Sequence, residues 1–262
     1  MQRHRSITTL FLTFGTLLLA VSLTPFCPAQ TTPPASQVFQ IIVTRVKPEM
    51  VMEYNEFLKE TLAAFKKGGG KQWETWTTDT LGEYYEYWVI RPVENLKQFD
   101  QPGPVAKALG QDGTRAWFAK WNRMVVSTRS FLVTTLPGLS VPTKGEPKLC
   151  IGVITNTAPG RTAEFYKWLK ENALVANAKT NSKGVSTFVE GLGGNPSAVH
   201  VAVFFNNFED MGNFVQAYNK ALADLKLQPN PPVGVETQAE FAVYRYISEL
   251  SISSAPAKPV GQ

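Results

Sequence analysis

The stretch EYNEFLKE, residues 53–60, returns 111 residues later as EFYKWLKE, residues 164–171. The apolar residues of the first copy recur at helical spacing and share one face: Tyr54, Phe57, Leu58 and Phe65. The second copy has apolar residues at the same offsets: Phe165, Trp168, Leu169 and Ala176. The chain therefore encodes the same amphipathic helix twice, which indicates an internal duplication.

Both copies also carry start signals. Pro48 and Pro159 come just before them, and proline fits the first turn of a helix because its missing N–H would have no partner there. The glycine run at 68–70 follows two lysines and is typical of a helix end. Each helix is therefore predicted to begin shortly after its proline.

The repeat extends to both sides of this helix. A β-branched, apolar run of strand length precedes each copy, at 38–46 and 148–156. Two strand-like runs joined by a turn follow each copy, at 71–78 and 83–90 in the first, and at 185–191 and 198–205 in the second. Each copy thus has a strand, a helix and a strand hairpin in the same order.

A second helix and a last strand complete each copy. ENLKQF (94–99) and EDMGNF (209–214) lie 115 residues apart, and each is predicted to open a helix with acidic residues in its first turn. Strand-like runs follow at 127–135 and 237–246. The order β-α-β-β-α-β is that of a ferredoxin-like unit, an antiparallel four-stranded sheet with two helices on one face.

The predicted fold class is therefore α+β. A ferredoxin-like unit leaves one sheet face uncovered, so we expect the two units to pack sheet to sheet as a pseudo-twofold α/β barrel. The predicted units span 37–136 and 148–252, and a proline- and glycine-rich linker at 137–147 joins them. A disordered tail is predicted at 253–262.

These features resemble the dimeric α/β-barrel superfamily and, more loosely, its antibiotic-biosynthesis-monooxygenase-like members. The resemblance covers most of 38–252 and depends on element order, on the duplicated P-x4-E-[YF]-x2-[FW]-L-K-E helix and on the acidic start of the second helix. It implies a cofactor-independent monooxygenase or isomerase in some relatives and a haem held by one histidine in others. No catalytic motif of the family is present to carry over.

The N-terminus has the layout of a secretory signal. Arg3 and Arg5 precede an apolar run from about residue 10 to residue 23, which is shorter than the roughly 20 residues of a membrane span. Residues 1–29 are therefore predicted to be a signal peptide, and the mature protein to be exported to the periplasm or beyond. Lipidation at Cys27 is disfavoured because Phe26, a large residue, precedes it.

Composition excludes several classes of function. Removal of the signal lowers the formal net charge from +5 to +3, and no basic run suggests nucleic acid. Cys150 would be the only cysteine left, so no internal disulfide is expected. With one histidine after the signal and no ligand spacing, no metal site is predicted. We expect no cofactor, with haem as an alternative.

Aromatic residues are concentrated in the first copy. Such side chains suit a pocket for a partly apolar ligand, and the alternative is that they fill the core. Arg91, just after them, would bind an anionic group, pair with Glu86 or remain solvated. The predicted ligand-binding set is Trp73, Trp76, Tyr85, Tyr87, Trp88 and Arg91.

Three residues are candidates for proton transfer: His200, Glu86 and Tyr85. His200 lies in the run AVHVAVFF, and a count of 115 residues aligns it with Tyr85. It is either a ligand-contacting proton carrier or a buried histidine bonded to backbone. Glu86 is either a carboxylate in an aromatic setting with a raised pKa, on the helix side with Trp88, or a solvated charge on an edge strand.

These patterns leave three hypotheses. The first is an exported binder of a small apolar or aromatic molecule, with its pocket in the first unit. The second is a cofactor-independent monooxygenase or isomerase that acts on a phenolic or polyketide-like substrate. The third is a structural protein of the cell envelope whose open sheet edges pair with another copy or another protein.

Overall fold

A computed structural model of the protein describes residues 35–78 and 80–252. The predicted signal peptide and the predicted C-terminal tail lie outside these residues. The described part contains eight strands, namely β1 (Val38–Val46), β2 (Glu74–Thr78), β3 (Glu86–Pro92), β4 (Val125–Thr135), β5 (Leu149–Thr157), β6 (Gly184–Glu190), β7 (Ala198–Phe205) and β8 (Glu236–Tyr246).

The helices alternate with these strands. They are α1 (Val51–Lys67), α2 (Pro104–Met124), α3 (Thr162–Trp168), α4 (Leu174–Asn177) and α5 (Phe208–Asp224). A π-helical turn, Leu169–Ala173, joins α3 to α4 without a break. No helix in the described ranges is long and apolar enough to cross a bilayer.

All eight strands form one closed antiparallel barrel in the order β1-β3-β2-β8-β5-β7-β6-β4. The first half of the chain supplies the run β4-β1-β3-β2, and the second half supplies the same run as β8-β5-β7-β6. The halves meet where β2 pairs with β8 and where β4 pairs with β6. The predicted α+β barrel is confirmed.

Strand alternation divides the apolar residues between two regions. Ile41, Trp88 and Phe131 face the inside of the barrel, which we call the lumen. Their neighbours on the other face, such as Tyr87 and Val89, pack outward against α1. The second half repeats this division, because Phe205 and Val243 pack with Phe214 of α5. Helices therefore cover the outside of the barrel, and the lumen is enclosed by the sheet itself.

The duplicated helix buries the predicted face. In α1 the exposed fractions of Tyr54, Phe57, Leu58 and Phe65 are 4% or less. In the second copy Phe165, Leu169 and Ala176 are buried in the same way.

Two predicted boundaries in the first half are wrong. The second helix does not open at residue 94: a short 3-10 turn (Leu96–Phe99) comes first, and α2 begins at Pro104. Pro102 and Gly103 separate the two, and Pro104 takes the first helical position. Strand β3 begins at Glu86 instead of residue 83, because Tyr85 has a φ of 64° and belongs to the preceding turn.

The buried face of α1 leads to a prediction about stability. Phe57→Ala should lower the free energy of unfolding by about 3–5 kcal/mol, because it leaves a cavity in the helix–sheet core. Met52→Ala, in the same helix but with Met52 79% exposed, should change it by less than about 0.5 kcal/mol. Urea unfolding of both variants provides the test, and equal effects would contradict this packing.

Candidate functional site

The lumen contains a cavity of about 820 Å³. Its aromatic walls come from both halves of the chain: Trp76, Trp88, Phe188, Phe204, Tyr244 and Tyr246. The prediction of a pocket in the first unit alone is therefore corrected. The concentration of tryptophan in the first half misled it, because most of those rings pack outside the lumen.

The space exists because four small residues lie side by side on the second half's sheet. Gly152 of β5 pairs with Ala202 of β7 and with Ala242 of β8, and Ala202 also pairs with Ser186 of β6. A Cβ on Gly152 would lie 2.5 Å from the ring of Tyr244. Glycine at this position therefore lets the tyrosine ring lie across β5.

The matching positions of the first half are filled. There Ile41 pairs with Ile90 and with Phe131. Because these side chains are large, the first half packs its part of the lumen, and the open volume lies over the second half's sheet.

The cavity opens at the end of the barrel where β1, β2, β5 and β6 begin. We call this end the entrance. Among the lining residues there, Gln37, Thr143 and Glu146 are exposed. Thr143 and Glu146 belong to the predicted linker, which is held to the start of β6 by the Val141–Val185 bridge and by Lys144 N–H donating to Lys183 O at 2.7 Å. The linker therefore lies along the rim of the entrance.

The inner part of the cavity holds a buried histidine–glutamate pair. His200 Nε2 lies 2.7 Å from Oε1 of Glu190, and each residue is only 3% exposed. Oε2 of Glu190 accepts the Asn195 backbone N–H at 2.6 Å and a hydrogen bond from Arg129. The buried carboxylate is thus bonded through both oxygens, as a charge away from water requires.

Burial by itself would raise the pKa of Glu190, but the hydrogen bonds from His200 and Asn195 and the charge of Arg129 hold it below its usual value. The carboxylate is therefore ionised at neutral pH and can only accept. It follows that Nε2 of His200 carries a proton, so in the neutral ring Nδ1 holds the lone pair. A carboxylate that fixes one tautomer in this way orients the imidazole as a base.

Glu190 and Arg129 were not predicted from the sequence. The available signal was alternation along β6, which puts Ser186, Phe188 and Glu190 on one face, together with the hairpin that pairs Phe188 with His200. Arg129 reaches the pair from β4, more than 60 residues away in sequence. His200 is hence bonded to a side chain and not to backbone.

Aromatic rings surround His200. Its imidazole stacks on Phe188 with centroids 4.9 Å apart, and the rings of Trp88 and Phe131 each lie 6.0 Å away. A porphyrin bound through this histidine would need a clear plane across Nδ1, since Nε2 is engaged with Glu190. These residues do not fit an axial haem ligand, and His200 is the one histidine among the described residues.

Glu86 lies at the far end of the lumen, opposite the entrance. Its Oε1 accepts the indole N–H of Trp88 at 2.6 Å. Burial raises the pKa of Glu86, and the Trp88 hydrogen bond partly offsets this shift. The expected aromatic setting is present, but on the lumen face and not on the helix side. Strand β3 lies between β1 and β2, so the edge-strand alternative is wrong.

The pairing register also corrects the alignment of His200. Val43 pairs with Trp88 in the first half, and Ile154, 111 residues after Val43, pairs with His200 in the second. His200 therefore matches Trp88 and not Tyr85. The count of 115 residues failed because the turns between β2 and β3 and between β6 and β7 differ in shape. Tyr85 lies in its turn and is 43% exposed.

Of the six predicted ligand-binding residues, the structure brings Trp76 and Trp88 to the cavity. Trp73 packs outward on Phe65, with ring centroids 5.0 Å apart, and the Tyr87 hydroxyl donates to Asn55 on α1 at 2.8 Å. Arg91 also lies outside, with its guanidinium 5.7 Å from the Trp73 ring. Arg91 does not pair with Glu86 and bonds instead to Gln40.

Cys150 also lines the cavity but is not poised to react. Burial raises the pKa of its thiol to about 12, so it stays protonated. Within the described ranges, no three histidine, cysteine or acidic side chains come close enough to hold a metal ion.

Comparison with known proteins supports the fold. No protein-family model matches the sequence, and no curated protein matches it. Among solved structures, a proposed monooxygenase from Lactobacillus acidophilus NCFM superposes with a TM-score of 0.55 at 10% identity, over 84% of this chain and 97% of that chain.

Two more solved structures are similar. An anthrone oxidase-like protein gives a TM-score of 0.55 at 8% identity, over 88% of this chain and 99% of that chain. A proposed monooxygenase from Fusobacterium nucleatum subsp. nucleatum ATCC 25586 gives 0.52 at 10% identity, over 81% and 93%. The fold is therefore that of the dimeric α/β-barrel superfamily.

The environment of Glu190 leads to a prediction about pH. Because the folded state lowers its pKa, Glu190 contributes stability that is present above its unfolded pKa, about 4.3, and is lost as pH falls through the folded value. Glu190→Gln should therefore be less stable than the wild type at pH 7, by about 1–3 kcal/mol, and the difference should shrink between pH 5 and pH 3.

Urea unfolding at a series of pH values measures this difference. The matched control is Glu171→Gln, an exposed carboxylate on the π-helical turn, which should show no such pH-dependent gap. A gap for Glu190→Gln that does not change with pH would contradict the assigned ionisation.

Proposed function

We propose that the protein binds a small, largely apolar or aromatic molecule inside the barrel. The observation that carries this proposal is the aromatic-walled cavity of about 820 Å³, which falls within the range of small-molecule sites, roughly 300–1,000 Å³. A few polar groups at the entrance and one buried histidine would orient the ligand. Trp76 and Trp88 from the first half and Phe204 and Tyr244 from the second are its proposed contacts.

Two further proposals concern the chain as a whole. The repeated helix and the repeated strand order support a barrel made of two tandem ferredoxin-like units at 37–136 and 148–252, joined by the linker at 137–147. The charged and apolar pattern of residues 1–29 supports export to the periplasm or beyond.

Filling the cavity tests the binding proposal. Ala202→Phe should project a ring into the lumen and weaken the binding of 1-naphthylmethanol, a neutral aromatic probe, by about tenfold or more, since overpacking costs roughly 1–3 kcal/mol. Binding is followed through quenching of tryptophan fluorescence or by calorimetry. The control is Trp73→Phe, on the outer face, which should bind the probe like the wild type. No difference between the two variants would exclude the lumen as the site.

A second function is favoured by the His200–Glu190 pair, because a solitary ligand site does not need an oriented base. In this hypothesis Nδ1 of His200 removes the proton of a bound phenol, and the phenolate reacts with dioxygen. One oxygen atom enters the ring to give a quinone and the other leaves as water, so phenol and dioxygen are balanced by quinone and water. An isomerase would need the proton transfers alone. The titles of the similar structures, two proposed monooxygenases and an anthrone oxidase-like protein, agree with the oxygenase form.

His200→Gln tests this hypothesis. Glutamine can still donate to Glu190 but cannot take up a proton, so dioxygen-dependent turnover of a phenolic substrate should fall by about 10²–10⁴-fold. Substrate affinity should change much less. Oxygen consumption and quinone absorbance measure the rate. Glu86→Gln, at the far end behind Trp88, is the matched control and should retain most of the activity; equal rates in His200→Gln and wild type would rule out the histidine as the base.

A further inference from the structure

The charges that line the cavity have one sign. Glu74 and Glu146 line it at the entrance, and no lysine or arginine of the described chain is among the lining residues. Arg129, the nearest cation described above, is already paired with Glu190 at the inner end. The chain as a whole has a formal net charge of +5. A negative entrance is therefore a local feature and not a consequence of overall composition.

Both carboxylates lie close to the same side chain. Glu74 is the first residue of β2, and Glu146 lies in the linker that follows the first half. The pKa of the Tyr246 hydroxyl is raised, first by burial and then by the negative charges of Glu74 and Glu146. Two segments distant in sequence thus bring carboxylates to one tyrosine at the rim.

Nothing in the described chain neutralises these groups. Neither Glu74 nor Glu146 forms a salt bridge with a lysine or arginine there. The one side-chain partner near Glu74 is neutral, since Gln72 Nε2 donates to its Oε1 at 3.3 Å. Carboxylates beside an apolar cavity and without a cation of their own favour a positively charged ligand group.

Aromatic rings lie directly inside this rim. The Trp76 ring is 5.2 Å from the ring of Tyr246 and 5.9 Å from that of Phe204. Trp76 follows Glu74 by two residues, so both side chains are on the lumen face of β2. Ring faces attract cations, and tryptophan does so most strongly. A cation at the entrance would therefore meet carboxylates on its outer side and ring faces on its inner side.

We infer that the ligand is an aromatic amine, bound as its protonated form. Its ring system occupies the space over Gly152 and Ala202, and its ammonium group lies at the entrance between Glu74, Glu146 and the Trp76 ring. This inference depends on the proposed binding function and adds the charge and the orientation of the ligand. It also assigns Glu74 and Glu146 as specificity-determining residues.

Three probes with one ring system test the inference: 1-naphthylmethylamine (cationic at pH 7), 1-naphthylmethanol (neutral) and 1-naphthoic acid (anionic). Calorimetry on the wild type should show the amine binding at least about tenfold more tightly than the alcohol, with the acid weakest. The preference should decrease with added salt, because the carboxylates are near solvent.

The double variant Glu74→Gln/Glu146→Gln should bind amine and alcohol alike, with the alcohol's Kd unchanged from the wild type. The matched control is Glu49→Gln/Glu83→Gln, which removes two exposed carboxylates from the far end and should keep the preference for the amine.

The possible failures are distinguishable. If the alcohol binds and the amine binds no better, or if the acid binds best, the lumen remains a ligand site and the inferred charge is overturned. If none of the three probes binds, the proposed binding function fails, and this inference fails with it.

Discussion

Two short strand pairings hold the barrel closed. The β2–β8 and β4–β6 ladders each join only three residue pairs, yet they bring together two sheets whose inner faces are apolar and have no helix over them. Burial of those faces against each other supplies the driving force for closure, and the ladders fix which rows of side chains meet. The lumen, its cavity and the His200–Glu190 pair all depend on this arrangement, because Arg129 reaches Glu190 across the β4–β6 junction.

The two halves share a backbone plan but divide the work of the lumen. Where the first half has Ile41, Ile90 and Phe131, the second has Gly152, Ala202 and Ala242 at the matching register positions. Likewise Trp88 in one half corresponds to His200 in the other. One sheet therefore packs the lumen and the other leaves it open, and the buried titratable pair belongs to the half that leaves it open. A barrel with identical halves would have either two cavities or none.

Sequence periodicity was sufficient for the helix faces, the strand order and the closed barrel, because each of these depends on local spacing that the duplication displays twice. It was insufficient for the cavity. Glu190 and Arg129 approach His200 only after strands from both halves pair, and the inward or outward direction of Trp73 and Trp76 depends on a register that begins at a single residue. Tyr85 shows the limit most clearly, since one residue with positive φ ended the predicted strand and shifted the alignment with His200.

The barrel is also polarised along its axis, with unpaired carboxylates at the entrance and an ion-paired histidine inside. The central claim is that a ligand enters this polarised lumen. It is tested most directly by a crystal structure with 4-bromo-1-naphthylmethylamine, in which anomalous scattering locates the bromine. We predict the bromine inside the lumen near Gly152 and Ala202, with the amine at Glu74. A bromine on the outer surface of the barrel, with the lumen filled by the protein's own side chains, would contradict it.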